Sequence, residues 1–185
     1  MKKLLLRFVL VFGLLGTTTL SLTSCDKDDI EVPVPFDIPL TLEKDLPFAT
    51  VNTSSYLRYP EIPLNIDVDA KIKEKNSKLS VENLKSVKLT GFTIDYISST
   101  LGNKLNIING AKVFIKAPNL PEVLVGTVEN NTNPNTLTIN TTDTELIDYL
   151  KSKQNSLFLE IKGAQTSLDE LKVNLKPVFK ITVGL

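Results

Sequence analysis

Leu171-Lys172-Val173-Asn174-Leu175-Lys176-Pro177-Val178-Phe179-Lys180-Ile181-Thr182-Val183-Gly184-Leu185 closes the chain. Leu171, Val173, Leu175, Phe179, Ile181, Val183 and Leu185 share one parity, broken only by Pro177. Lys172, Asn174, Lys176 and Lys180 occupy the other. Side chains alternate across a strand, so this pattern reads as a β-strand with one buried and one solvated face. Proline lacks the amide that a ladder needs, so Pro177 marks either a kink in one long strand or the joint between two.

The same period recurs upstream. Leu157, Leu159 and Ile161 carry it, as do Ala111, Val113, Ile115 and Ala117, the last closed by Pro118 and Asn119. Val123, Val125 and Val128 return after Pro121, and Leu137 with Ile139 makes a short strand beyond the Asn-rich loop at 130–135. Val87 and Leu89 hold one parity and Phe92, Ile94 and Tyr96 the other. A change of parity across Gly91 is what a β-bulge produces. Further back, Leu64, Ile66, Val68, Ala70 and Ile72 read as a long amphipathic strand, followed by a polar connection at 77–84 with room for one helical turn. Phe36, Ile38, Leu40 and Leu42 read as a strand that Pro39 assigns to a sheet edge or entrance. A short strand is expected at 49–51, with loop between the prolines at 47, 60 and 63.

One segment departs from the period of two. Thr142-Asp143-Thr144-Glu145 has the spacing of a capping box, and Leu146, Ile147 and Leu150 follow on one helical face. A single short helix is expected from about 143 to 152. About eight alternating strands with one helix point to an all-β, two-sheet antiparallel sandwich. Immunoglobulin-like and jelly-roll topologies both fit the pattern.

Composition narrows the function. The chain contains no histidine, so Ser-His-Asp and Cys-His arrangements cannot be built and a zinc site lacks its commonest neutral ligand. Neither catalytic residues nor a cofactor is expected, although carboxylate pairs could still serve a histidine-free glycosidase. Two surface groups are candidates for ligand contact. Tyr56 and Tyr59 could stack on a sugar ring with Arg58 supplying donors, or they could cover the end of the sandwich. Asn65, Asp67 and Asp69 lie on one face of the expected strand and could contribute to a calcium site, but Ala70 stands where the calcium loop needs glycine. A solvated face explains that row equally well. The Asn-x-Thr sequon at Asn130 and the similar ones that begin at Asn52 and Asn140 are read as chance.

The amino terminus carries an address. Lys2, Lys3 and Arg7 precede an apolar stretch that ends in small residues, and no acidic residue occurs before Asp26. These are the three parts of a secretory signal peptide, and the apolar run is too short and Thr-rich for a comfortable spanning helix. Leu22-Thr23-Ser24-Cys25 resembles the lipobox of bacterial lipoproteins. That resemblance implies cleavage before Cys25, the only cysteine in the chain, and attachment of lipid to it. Lys27-Asp28-Asp29 is similar to the Lys-acid-acid signal that follows the lipidated cysteine in Bacteroidota-type lipoproteins and implies export to the cell surface. Asp26, directly after the cysteine, matches instead an enterobacterial signal for inner-membrane retention. The Lys-acid-acid order is the more detailed match, so the expectation is the outer membrane and the cell surface, with the periplasmic face of a membrane as the alternative.

The expected organisation is therefore a signal peptide at 1–24, a lipidated tether at 25–35 and one sandwich domain at 36–185. Val-Pro alternation at 32–35 makes the end of the tether semi-rigid. Removing Lys2, Lys3 and Arg7 leaves 18 basic against 21 acidic residues, a net of −3, which argues against nucleic acid as a partner. The expected partners are membrane lipid through Cys25 and an envelope protein or glycan. The domain further resembles the small β-sandwich lipoproteins of unassigned role common in Bacteroidota. The expected role is a non-catalytic binding or assembly module, with a carbohydrate-binding accessory protein or a histidine-free glycosidase as the alternative.

Overall fold

A computed structural model of the chain describes residues 34–39, 42–47, 55–165 and 168–184. The signal peptide, Cys25, Asp26, Lys27, Asp28, Asp29, the strand expected at 49–51 and Asn52 lie outside the described residues. Two antiparallel sheets make an all-β sandwich. All described elements fall in one compact unit, Glu31–Leu185, which carries its own hydrophobic core.

The carboxy-terminal pattern becomes one continuous strand, β11 (Glu170–Val183), at the centre of the first sheet. Leu171, Val173, Leu175, Phe179 and Ile181 are fully buried, with Val183 nearly so. On one side β11 pairs along its length with β5 (Leu84–Ser99). On the other, β1 (Val34–Pro39) and β2 (Leu42–Pro47) lie end to end against it, β1 opposite residues 178–183 and β2 opposite 170–175. Pro177 falls between these two pairings, so the strand passes through it unbroken where a missing amide costs least. Pro35 and Pro39 share a parity on β1 and cannot donate to β11. Val34 and Pro35, expected in the tether, are already part of β1.

Val178 pairs with Gly91 and Phe179 with Leu89, leaving Thr90 as the extra residue. This is the bulge that the parity change required, and it keeps Val87, Leu89, Phe92 and Ile94 all in the core.

The second sheet is built on β6 (Ile108–Lys116) and β10 (Ser156–Gly163), which pair with each other. β7 (Val123–Val128) continues it on one side, and the short β3 (Leu57–Arg58) and β4 (Ile62–Pro63) edge it on the other. Residues 136–141 cross from one sheet to the other. β8 (Thr136–Thr138) pairs with β5 in the first sheet, Ile139 turns the corner, and β9 (Asn140–Thr141) pairs with β7 in the second. Gly126 makes the crossing possible, because a Cβ there would lie 2.5 Å from Ile139 Cγ2. Between the sheets, Phe92, Leu89 and Ile94 pack with Phe179, Ile108, Ile115 and Leu137.

Two expectations about helix and strand are corrected. Residues 64–72 do not form a strand. Asp67 caps a helix, α1 (Val68–Lys75), accepting the Ala70 amide at 2.9 Å. Val68 and Ile72, four residues apart, are its buried positions, whereas Ala70 is exposed. Good helix formers from Ala70 to Lys75 and the spacing of Asp69 with Lys73 favour helix over the apparent period of two. The expected helix at 143–152 shrinks to α2 (Ile147–Lys151), and Thr142 and Glu145 do not cap it. The Thr142 hydroxyl bonds the Thr144 hydroxyl at 2.8 Å, and Glu145 serves β5 instead. The single turn expected within 77–84 is a 3-10 turn at Val81–Asn83, capped by Ser80. Among the described residues no helix is long and apolar enough to cross a membrane.

Candidate functional site

The outer face of the second sheet carries Arg58, Lys112 and Glu160 together with the rings of Tyr56 and Phe158. Register explains why. Arg58 on β3 lies beside Glu160 on β10, and Glu160 lies beside Lys112 on β6. The inner parity of each strand is apolar, so the outer parity brings a positive, a negative and a positive side chain into one row.

Arg58 is the hub. Its Nη1 donates to Glu122 Oε1 at 2.8 Å while Nη2 pairs with Glu122 Oε2, a forked contact that fixes both planes. Nη1 also lies 3.7 Å from Glu160. The guanidinium covers the Phe158 ring at 4.2 Å, which leaves that outward phenylalanine only 8% exposed. Arg58 hydrogen-bonds Glu122 and holds its carboxyl below the ordinary range, against the opposing effect of burial. Glu122 is therefore an anion near neutral pH and a poor proton donor. The pair is partly exposed, so its net contribution to stability is at most about 1 kcal/mol.

Tyr56 occupies the neighbouring position. Its hydroxyl donates to Glu129, and Lys112 Nζ sits 4.4 Å from its ring centre. Gly110 makes the seat, because a Cβ there would lie 2.7 Å from the Tyr56 hydroxyl and 2.8 Å from Glu129 Oε2. Burial and then the Glu129 hydrogen bond push the Tyr56 hydroxyl up to about 12.

The structure separates the two tyrosines expected to act together. Tyr59 follows Arg58 with its backbone amide bonded to Leu159 at 2.8 Å, and its ring turns into the core at 9% exposure. Burial pushes its hydroxyl up to about 12. Tyr56 and Arg58 share the outer face; Tyr59 does not. Both residues of that face already have protein partners over their polar or aromatic surfaces.

The row Asn65, Asp67 and Asp69 is not a row. Asn65 has a left-handed backbone at φ 50°, Asp67 is the cap of α1, and Asp69 accepts the Val81 amide at 3.0 Å while pairing with Lys73. Lys73 and the Val81 amide hold the Asp69 carboxyl low. The common strand face that a calcium site would need is absent, because residues 68–75 are helical. Among the described residues no three acidic, cysteine or histidine side chains converge on one point.

Where β10 begins lies an open depression of about 270 Å³ lined by Glu61, Lys116, Ala117, Pro118, Gln154 and Ser156. The Ser156 hydroxyl donates to Glu61. Sequence reasoning did not single out Glu122, Glu129, Glu160, Lys112 or Phe158. Each sits at an ordinary outward position, and only the strand register gathers them.

No family model matches the chain, and no curated protein matches it in sequence. Among solved structures it is similar to a chain of turnip yellow mosaic virus determined at 100 K. That match has a TM-score of 0.27 and 12% identity, over 83% of this chain and 96% of the other. A likeness of that degree carries no argument about function.

Proposed function

We propose that this protein is an envelope lipoprotein, cut before Cys25 and acylated there, whose sandwich serves as a non-catalytic binding or assembly module at the surface of the outer membrane. The observation that carries the reading is Leu22-Thr23-Ser24-Cys25 at the end of a signal-peptide pattern, nine residues before the first strand begins at Val34. Those residues reach at most about 30 Å, so the sandwich works close to the lipid.

The outer face of the second sheet favours binding over turnover. Arg58, Glu122 and Glu160 are locked to one another, and Tyr56 is locked to Glu129. Such a face is prearranged, so it recognises a partner without ordering loose side chains first. It also keeps the Glu122 carboxyl ionised, which suits recognition better than proton transfer. An envelope protein or glycan is the partner class for this face.

The test is fractionation of cells producing the wild type or Cys25→Ala. The wild type partitions with membranes into detergent, and the variant accumulates as uncut precursor. A Cys25→Ala protein that is cut normally and still retained in the membrane fraction contradicts the proposal.

A further inference from the structure

The depression where β10 begins gathers four polar side chains, those of Glu61, Lys116, Gln154 and Ser156. Strand ends build it. Lys116 closes β6, Ser156 opens β10, and the two are cross-strand partners. Ser156 also pairs with Pro63 of β4, and Glu61 stands directly before that strand. Lys116 and Ser156 share the parity of Lys112 and Glu160, so the depression belongs to the same outer face. The loop that delivers Gln154 is fastened by Asn155, which is buried. Asn155 Nδ2 donates to the Ser152 carbonyl at 2.6 Å, and its own backbone carbonyl accepts the Leu64 amide at 3.0 Å. Ser156 is 3% exposed and its hydroxyl donates to Glu61 Oε1, which holds that carboxylate over the start of β10. Among the described residues the Lys116 ammonium has no hydrogen bond or ion pair, and it lies 5.9 Å from the centre of the Phe158 ring.

We infer that this depression binds an uncharged sugar unit of a glycan, with Glu61 accepting from hydroxyls and Lys116 and Gln154 donating to oxygens. The inference rests on the reading of this face as a binding face and names its ligand. Chemistry decides against the other classes. Glu61 only accepts hydrogen bonds, Lys116 only donates, and Gln154 and Ser156 do both. Sugar hydroxyls also do both, so a set of them on one ring satisfies all four.

One carboxylate and one ammonium cancel, so a neutral ligand carries no electrostatic penalty. An anion would meet Glu61 and a cation would meet Lys116. The apolar lining is Ala117 and Pro118 alone, too little surface to hold an apolar or aromatic ligand by burial. At about 270 Å³ the depression falls just under the roughly 300–1,000 Å³ of small-ligand sites, which suits a single ring. It is open, so the rest of a glycan chain can continue into solvent. Phe158 is already covered by Arg58, so recognition here proceeds by hydrogen bonding rather than by stacking.

The experiment is a nuclear magnetic resonance titration of ¹⁵N-labelled residues 25–185, which contain the whole compact unit. The probes are neutral oligosaccharides of glucose, mannose, xylose and N-acetylglucosamine. An oligogalacturonate and the zwitterion dialanine stand for the rival classes. At least one neutral probe moves the Lys116 and Ser156 amides and the Gln154 side-chain amide saturably, while Asn174, on β11 in the other sheet, stays in place. Glu61→Gln keeps an acceptor for Ser156, and Lys116→Met keeps the aliphatic stem, so both variants retain the fold. Each weakens binding about tenfold, the loss of one hydrogen bond to a charged group. Asn174→Ala binds as the wild type does. The inference is overturned if no neutral probe moves these signals, if neither substitution weakens binding, or if oligogalacturonate or dialanine binds more tightly than every neutral probe. None of those results bears on acylation at Cys25, which an unmodified native terminus would contradict separately.

Discussion

Glu145 and Val87, 58 residues apart, close the exposed edge of β5. The Glu145 carboxylate accepts the Val87 amide at 2.6 Å and the Ser86 hydroxyl at 2.8 Å. The next residue completes the pairing, because the Leu146 amide donates to the Val87 carbonyl at 2.8 Å. A side chain and a main chain together imitate a neighbouring strand where β8, confined to the middle of β5, does not reach. Open strand edges invite pairing with other chains, and this device blunts one.

Glu145→Ala leaves the Val87 amide without its acceptor and lowers stability by about 1 kcal/mol. Glu145→Gln keeps an oxygen in place and loses less. Urea unfolding gives the ranking, and hydrogen exchange at Val87 gives the locality. Equal effects of the two substitutions would show that charge, not the capped amide, matters here.

That contact also marks the limit of reading the sequence. Thr142-Asp143-Thr144-Glu145 has the spacing of a helix cap, yet Glu145 is used by a strand distant in sequence. Local spacing cannot reveal a long-range acceptor. The same limit hid the Arg58–Glu122 pair, whose members are joined only by the register of four strands. Where burial alone sets the pattern, the reading held: the odd positions of β11, the bulge at Gly91 and the inward residues of β6 and β10 were all legible. Residues 64–72 misled because Val68 and Ile72 satisfy both a period of two and a spacing of four. The capping residue Asp67 and the run Ala70–Lys75 were the signals that favoured helix.

Asp169 makes the loop at 100–103 sensitive to acid. Burial alone would raise its carboxyl, but the Thr100 hydroxyl and the Leu101 and Asn103 amides hold it well below the ordinary range. Its unfolded value is near 3.9, so its contribution is complete above about pH 4 and is lost as pH falls through the lower folded value. Asp169→Asn removes this dependence. Protection of the Leu101 and Asn103 amides, taken as exchange relative to the intrinsic rate at each pH, should fall down the acid range in the wild type and be low throughout in the variant.

Two tyrosines titrate late. Tyr56 and Tyr59 are each pushed up to about 12, against about 10 for a free side chain. Each favours the fold fully below about pH 10, and that contribution is lost as pH rises through 12. Tyrosinate absorbance should show a late step that Tyr59→Phe and Tyr56→Phe each reduce. A single step near 10 in the folded protein would contradict the seating of both rings.

If Lys27, Asp28 and Asp29 direct export, protease added to intact cells removes the domain while periplasmic controls survive. Replacing all three by alanine makes the domain resistant without changing its acylation. Full protection of the wild type would assign the periplasmic side.

The proposal stands first on the chemistry of Cys25, and mass spectrometry of the amino terminus of the native protein measures that directly. The account predicts a terminus at Cys25 carrying two or three acyl chains, with residues 1–24 gone. An unmodified terminus, or one at any other residue, would contradict it.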